Sequence, residues 1–97
     1  MLHLIFQSSI NNSLLQRIDS GDDVVFFENA CYQLLKNAAL NVELQQMLEN
    51  RVYLHALAIE LQTRGINDDE LVLGVKLIDY PELLELTEKN KVIRTWN

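Results

Sequence analysis

The sequence predicts an α/β protein, a three-layer α/β/α sandwich around a small, mostly parallel sheet of about four strands, in a single domain spanning residues 1–97. Three observations carry that expectation. Short apolar runs rich in Val, Ile and Phe recur at 1–6, 24–27, 52–57 and 75–80, and each is mostly apolar on both faces, as buried parallel strands are. Segments with leucines at helical spacing lie between these runs, so strand and helix alternate, and right-handed crossovers then place helices on the faces of the sheet. Length sets the bound: a chain of 97 residues buries roughly 60–65% of the surface it exposes when unfolded, enough for one core and not for two.

Each element has a local reason. After the first strand, Asn12 or Ser13 can cap a helix whose apolar side holds Leu14, Leu15 and Ile18, and Gly21 supplies the left-handed turn that follows. The second strand leads into a longer connection carrying Leu34, Leu35, Leu44 and Leu48. Beyond the third strand a helix through 61–64 ends at Gly65. The last helix starts at Pro81, whose missing N–H costs nothing there, with Glu82 and Glu85 near its positive end and Lys89 and Lys91 near its negative end. The tail from Lys89 to Trp96 mixes charge with apolar side chains, so it either packs back on the sheet or reaches a neighbour, with Trp96 as its anchor.

Composition excludes several classes. With 48% apolar residues, three Gly and one Pro, the chain is not expected to be disordered. Its 8 Lys+Arg against 14 Asp+Glu leave a net charge of −6, the wrong sign for tracking a phosphate backbone, so no direct nucleic-acid binding is expected. Cys31 is the single cysteine, which rules out an internal disulfide and the usual zinc spacings, and a reducing cytoplasm is the expected setting. The apolar run at 2–6 is too short for a signal segment and no stretch reaches membrane length, so a soluble, unexported protein is expected.

Open parallel sheets bind ligands beyond the C-terminal ends of their strands, here 7–12, 28–32, 58–60 and 79–82. No GxGxxG or GxxxxGK[ST] follows any strand, and Gln7-Ser8-Ser9 offers hydroxyls without glycine, so no cofactor and no metal is implied. No residue is assigned a catalytic role. Cys31 is the one candidate nucleophile, placed in the first turn of the helix expected after strand two, where free N–H groups favour a thiolate. Its neighbours Ala30, Tyr32 and Leu34, and Asn37 where an anion loop would hold Arg, favour a buried and inert thiol instead. His3 and His55, each inside a strand, read as satisfied imidazoles, and Asp22, Asp23 and 67–70 read as solvated turn acids. Helices this few cover the sheet thinly, which predicts an oligomer.

Taken together, Met1-Leu2-His3 with Ser8, Ser20-Gly21-Asp22 before a strand ending Glu28-Asn29, Leu57-x-x-Glu60-Leu61-x-x-Arg64-Gly65, Ile78-Asp79-Tyr80 and the closing Trp96 resemble the DsrH/TusB family of sulfur-relay proteins. The resemblance implies a DsrE/DsrF/DsrH-like fold and assembly with one DsrE-like and one DsrF-like subunit as a dimer of heterotrimers. In the TusB branch such a complex passes persulfide sulfur from a cysteine desulfurase towards 2-thiouridine at the tRNA wobble position; in the DsrH branch it serves sulfur oxidation. The DsrH branch carries a cysteine in its first helix, and 12–19 contains none, while Cys31 falls where the family holds an apolar residue. Glu60 stands where aspartate is usual, and Asn29-Ala30 where Asp-Gly is common. The resemblance therefore implies a TusB-like, non-catalytic subunit whose relay cysteine comes from the DsrE-like partner. The alternatives are a sulfurtransferase using Cys31 itself as persulfide carrier, a DsrH-like subunit in sulfur oxidation, and a stand-alone homo-oligomeric binding module, for which a homodimer is the expected form.

Overall fold

The computed structural model describes all 97 residues, Met1–Asn97. Five strands, β1 (Leu2–Ile5), β2 (Asp23–Phe26), β3 (Tyr53–Leu57), β4 (Lys76–Ile78) and β5 (Ile93–Trp96), form one all-parallel sheet in the order β4-β3-β2-β1-β5. The helices are α1 (Asn12–Leu15), α2 (Asn41–Glu49), α3 (Ala58–Thr63) and α4 (Tyr80–Lys89), with 3-10 segments at Glu28–Leu34 and Asp68–Glu70. No helix is long and apolar enough to cross a membrane.

The α/β sandwich is as expected, with one strand more than the sequence predicts. The tail forms β5, pairing with β1 from Leu2↔Ile93 to Ile5↔Trp96, and the ladder continues through Leu2 N–H to the Val92 carbonyl and Phe6 N–H to the Trp96 carbonyl. Only four residues long and mostly exposed, β5 lacks the continuous apolar run that marks the other strands.

Strand order divides the helices unequally. From β1 to β4 the chain steps one strand at a time in one direction, so its right-handed crossovers all lie on one face, whereas the return from β4 to β5 crosses the other face. On the first face Ile5, Val24, Phe26, Leu54 and Ala56 meet Leu14, Leu34, Leu44 and Leu61 in a core of sixteen buried residues. The second core holds four, Leu2, Val25, Leu57 and Ile78, under Leu83 and Leu86 of α4. Phe6 and Phe27 stack at 4.6 Å beside it, and Tyr80, Leu84 and Ile93 stay exposed.

Boundaries follow caps more than hydrophobicity. Asn11, one residue before the expected cap, accepts the Leu14 N–H and starts a single turn. Asp79 caps α4 through the Glu82 N–H at 2.9 Å while Glu82 reaches back to the Asp79 N–H, which trims β4 short of the predicted 75–80. Pro81 lies in the first turn as expected. Gly21 and Gly65 take positive φ values of 91° and 67°, the turns predicted for them. Cys31 is not in the first turn of an α-helix: it lies in the 3-10 segment, and α2 begins only at Asn41. Lys36 N–H to the Glu70 carbonyl and Val72 N–H to the Leu34 carbonyl pin that segment to the loop before β4.

Candidate functional site

The ends of β2 and β3 hold the one thiol and the polar residues the resemblance singles out. Cys31 is fully buried in the larger core, and its Sγ–H points at the Phe26 carbonyl 3.5 Å away. Burial, followed by the negative charge of Glu60, pushes the thiol up to about 11, with Arg64 only partly opposing. At neutral pH the group is therefore held as the thiol.

Above it, the rim is closed by its own side chains. The Glu60 carboxylate accepts the Glu28 N–H and lies 3.5 Å from Arg64 Nη1, and Arg64 Nε donates to Asn29 Oδ1 at 3.3 Å. Glu28 has φ 51°, a left-handed conformation that a side chain resists and that the Glu60 contact holds in place. Glu60, Arg64 and Asn29 thus form a clasp between α3 and the 3-10 segment, and the guanidinium that could have met an anion already has a carboxylate. The Gln7-Ser8-Ser9 loop is tied down as well, by Gln7 Nε2 on the Asn97 carbonyl and the Gln33 amide on the Ser8 carbonyl.

Asp22 and Asp23 are not solvated turn acids. Their relative exposures are 8% and 2%, because each faces a strand histidine that sequence reading left without a partner. His3 Nε2 lies 2.9 Å from Asp22 Oδ2, which also accepts the Asp19 N–H, and Oδ1 takes the Met1 ammonium at 3.1 Å. Trp96 Nε1–H donates to His3 Nδ1 at 3.1 Å, so the hydrogen-bond pattern assigns the His3 proton to Nε2. Both ring nitrogens are satisfied.

The second pair lies on the α4 face. His55 Nε2 is 3.1 Å from Asp23 Oδ1, and Asp23 Oδ2 accepts from Lys89 Nζ at 3.3 Å and Asn90 Nδ2 at 3.1 Å. Burial pushes both carboxyls up, but hydrogen bonds outweigh it and hold both below the ordinary value: from Asp19, His3 and the N-terminus for Asp22, and from Asn90, His55 and Lys89 for Asp23. Burial holds His55 below the usual imidazole range against the pull of Asp23. His55 Nδ1 is buried and bonds to nothing. The missed signal was positional: a histidine inside a strand buried on both faces needs a carboxylate or carbonyl beside it. The other acidic stretch, 67–70, does stay at the surface, where Asn67 and Glu70 cap a 3-10 turn.

Comparison with known proteins agrees with this architecture. The solved structure of a protein of unknown function, MTH1491 from Methanobacterium thermoautotrophicum, is similar over 98% of this chain and 96% of its own, with a TM-score of 0.76 and 14% identity. The ychN protein from E. coli is similar over 98% and 97%, with a TM-score of 0.71 and 18% identity. At those identities the likeness is one of fold. No curated protein matches the sequence. The family model described as DsrH like protein matches residues 5–93, which take in β2, β3, β4 and all four helices, and the chain belongs to the DsrH-like family.

Proposed function

We propose that the chain is a non-catalytic subunit of a heteromeric sulfur-relay complex that passes persulfide sulfur towards 2-thiouridine at the tRNA wobble position. Family membership supports a sulfur-relay role. The observation that carries the non-catalytic part is the state of Cys31. In sulfur transfer a thiolate attacks the outer sulfur of a persulfide, a new S–S bond forms as the old one breaks, and the donor leaves as a thiolate. That exchange needs an ionised sulfur open to its partner, and Cys31 is fully buried with its thiol pushed up to about 11.

The relay cysteine is then a partner's, DsrE-like, with a DsrF-like subunit completing the assembly. The uneven covering of the sheet supports association: Phe6 and Phe27 are half-buried, and Tyr80, Leu84 and Ile93 are exposed, on the face that α4 alone covers. The excess of acidic residues supports a role in which RNA is contacted by another subunit.

The test is co-expression with DsrE-like and DsrF-like subunits, a native mass spectrum of the product, and persulfide trapping on every cysteine after exposure to a sulfur donor. The expected result is a mixed complex with label on a partner, none on Cys31, and full transfer by the Cys31→Ser variant. Label on Cys31, or transfer abolished by that variant, overturns the proposal.

A further inference from the structure

His55 has a buried ring nitrogen that the fold does not use. Its side chain is 8% exposed and oriented through Nε2 by Asp23, which is itself 2% exposed, while Nδ1 has no hydrogen-bond partner. The ring lines a small cavity of about 130 Å³ between β4 and α4, with Lys76, Glu82, Glu85, Leu86 and Lys89 around it. That is room for a few heavy atoms, since a water occupies about 30 Å³ in the liquid.

The charges around the cavity are unevenly committed. Glu82 is held by the Asp79 N–H and Lys89 by the Asp23 carboxylate, whereas Lys76 of β4 and Glu85 of α4 make no hydrogen bond or ion pair. Because a carboxylate can only accept, Nε2 carries the ring proton and Nδ1 keeps a lone pair. Burial, with Lys76 and Lys89 adding to it, disfavours the imidazolium that would remove that lone pair. An imidazole backed by a carboxylate on one nitrogen and bare on the other, with its cation disfavoured, is built to accept a hydrogen bond.

We propose that this cavity binds a small ligand through an X–H group, a thiol or a hydroxyl, which donates to His55 Nδ1 while the Lys76 ammonium lining the same cavity faces the lone pairs of X. For a thiol the contact is an S–H···N hydrogen bond in which the proton stays on sulfur, because burial, Lys76 and Lys89 disfavour the imidazolium. The site lies across the sheet from Cys31, so it stands or falls apart from the sulfur-relay proposal.

The experiment is a long-range ¹H–¹⁵N correlation of the His55 ring in the labelled full chain, titrated separately with 2-mercaptoethanol, ethylene glycol and the donor-free 1,2-dimethoxyethane. The expected result is a saturable Nδ1 shift with one or both donors and none with dimethoxyethane. Binding should be about threefold weaker in the surface variant Lys76→Met. A response to the thiol alone identifies sulfur compounds as the ligand class, and a response to both identifies X–H donors generally. A protonated Nδ1 with bare Nε2, no shift with either donor, or an equal shift with dimethoxyethane overturns the proposal.

Discussion

Asp22 and Asp23 are neighbours in sequence, face opposite sides of the sheet and each hold a strand histidine, yet the second nitrogen of the two rings meets different surroundings. His3, on the side with sixteen buried residues, receives the Trp96 N–H from β5, while His55, on the side covered by α4 alone, receives nothing. The thickly covered face matches its buried ring completely. The thinly covered one leaves an acceptor over, and it is also the face with exposed Tyr80, Leu84 and Ile93. For these two rings, unfinished hydrogen bonding and unfinished burial coincide.

Removing the carboxylate common to the open side should have the largest effect. Asp23→Ala would strip His55, Lys89 and Asn90 of their acceptor at once, and a hydrogen bond to a charged group contributes about 1.5–3 kcal/mol. Urea unfolding of the full chain measures it, and a loss under about 1 kcal/mol would show that solvent replaces Asp23. The same group shapes the acid limb of stability. Asp22, Asp23 and His55 all have lowered pKa values when folded, so the unfolded chain binds more protons and stability decreases as pH is lowered. The His55 contribution is complete above 6.5 and declines below it, and the carboxylate contributions are complete above 3.8 and are lost as pH falls through the lowered values. In Asp23→Ala the limb below 3.8 should be shallower, and an unchanged slope would refute the assignment.

On the closed side, His3→Gln keeps a donor for Asp22 but removes the acceptor of Trp96 Nε1, leaving that N–H unmatched at the β1–β5 junction. Losing that part-buried hydrogen bond costs about 0.5–1.5 kcal/mol. Thermal unfolding checks the loss, and a red shift of the Trp96 fluorescence would report that the indole has moved towards water. Retention of both wild-type values would mean that β5 is held by its ladder alone.

The contrast between the two pairs shows where sequence reading reached and where it stopped. Strands β1 to β4 are legible because each lies in a short, mostly apolar run, and α4 because Asp79, Pro81 and Glu82 spell its start. Strand β5 is not, since its place is set by pairing with a segment about ninety residues away and not by its own pattern. The aspartates misled for a similar reason: Asp22-Asp23 after Gly21 has the chemistry of a turn, and their burial depends on His3, His55, Lys89 and Asn90, all distant in sequence. The family was legible from residues spread along the whole chain, and Glu60, Arg64 and Asn29, which belong to that pattern, meet in space as a clasp.

A smaller effect tests the cover itself. Asp79→Ala removes the side-chain acceptor at the start of α4, the one helix over the second core, at a cost of about 1 kcal/mol. Hydrogen exchange should quicken at Glu82 and Leu83 N–H while amides of α2 stay protected, and faster exchange in both helices would mean that the two faces do not open independently.

The smallest expected effect decides the comparison. In His55→Gln the amide nitrogen takes over the Nε2–H donation to Asp23, and the ring nitrogen that disappears had bonded to nothing, so only shape and volume change at the site. The cost should be under about 1 kcal/mol, because no buried partner is orphaned. His3→Gln, the same substitution on the other face, loses a partner, so the two variants differ in hydrogen bonding more than in size. Equal losses from the two would mean that His55 Nδ1 has a partner in the folded chain, and the two faces would then be equally complete. A clear excess for His3→Gln would establish that stability does not require the His55 lone pair, leaving that acceptor available to whatever enters the cavity beneath α4.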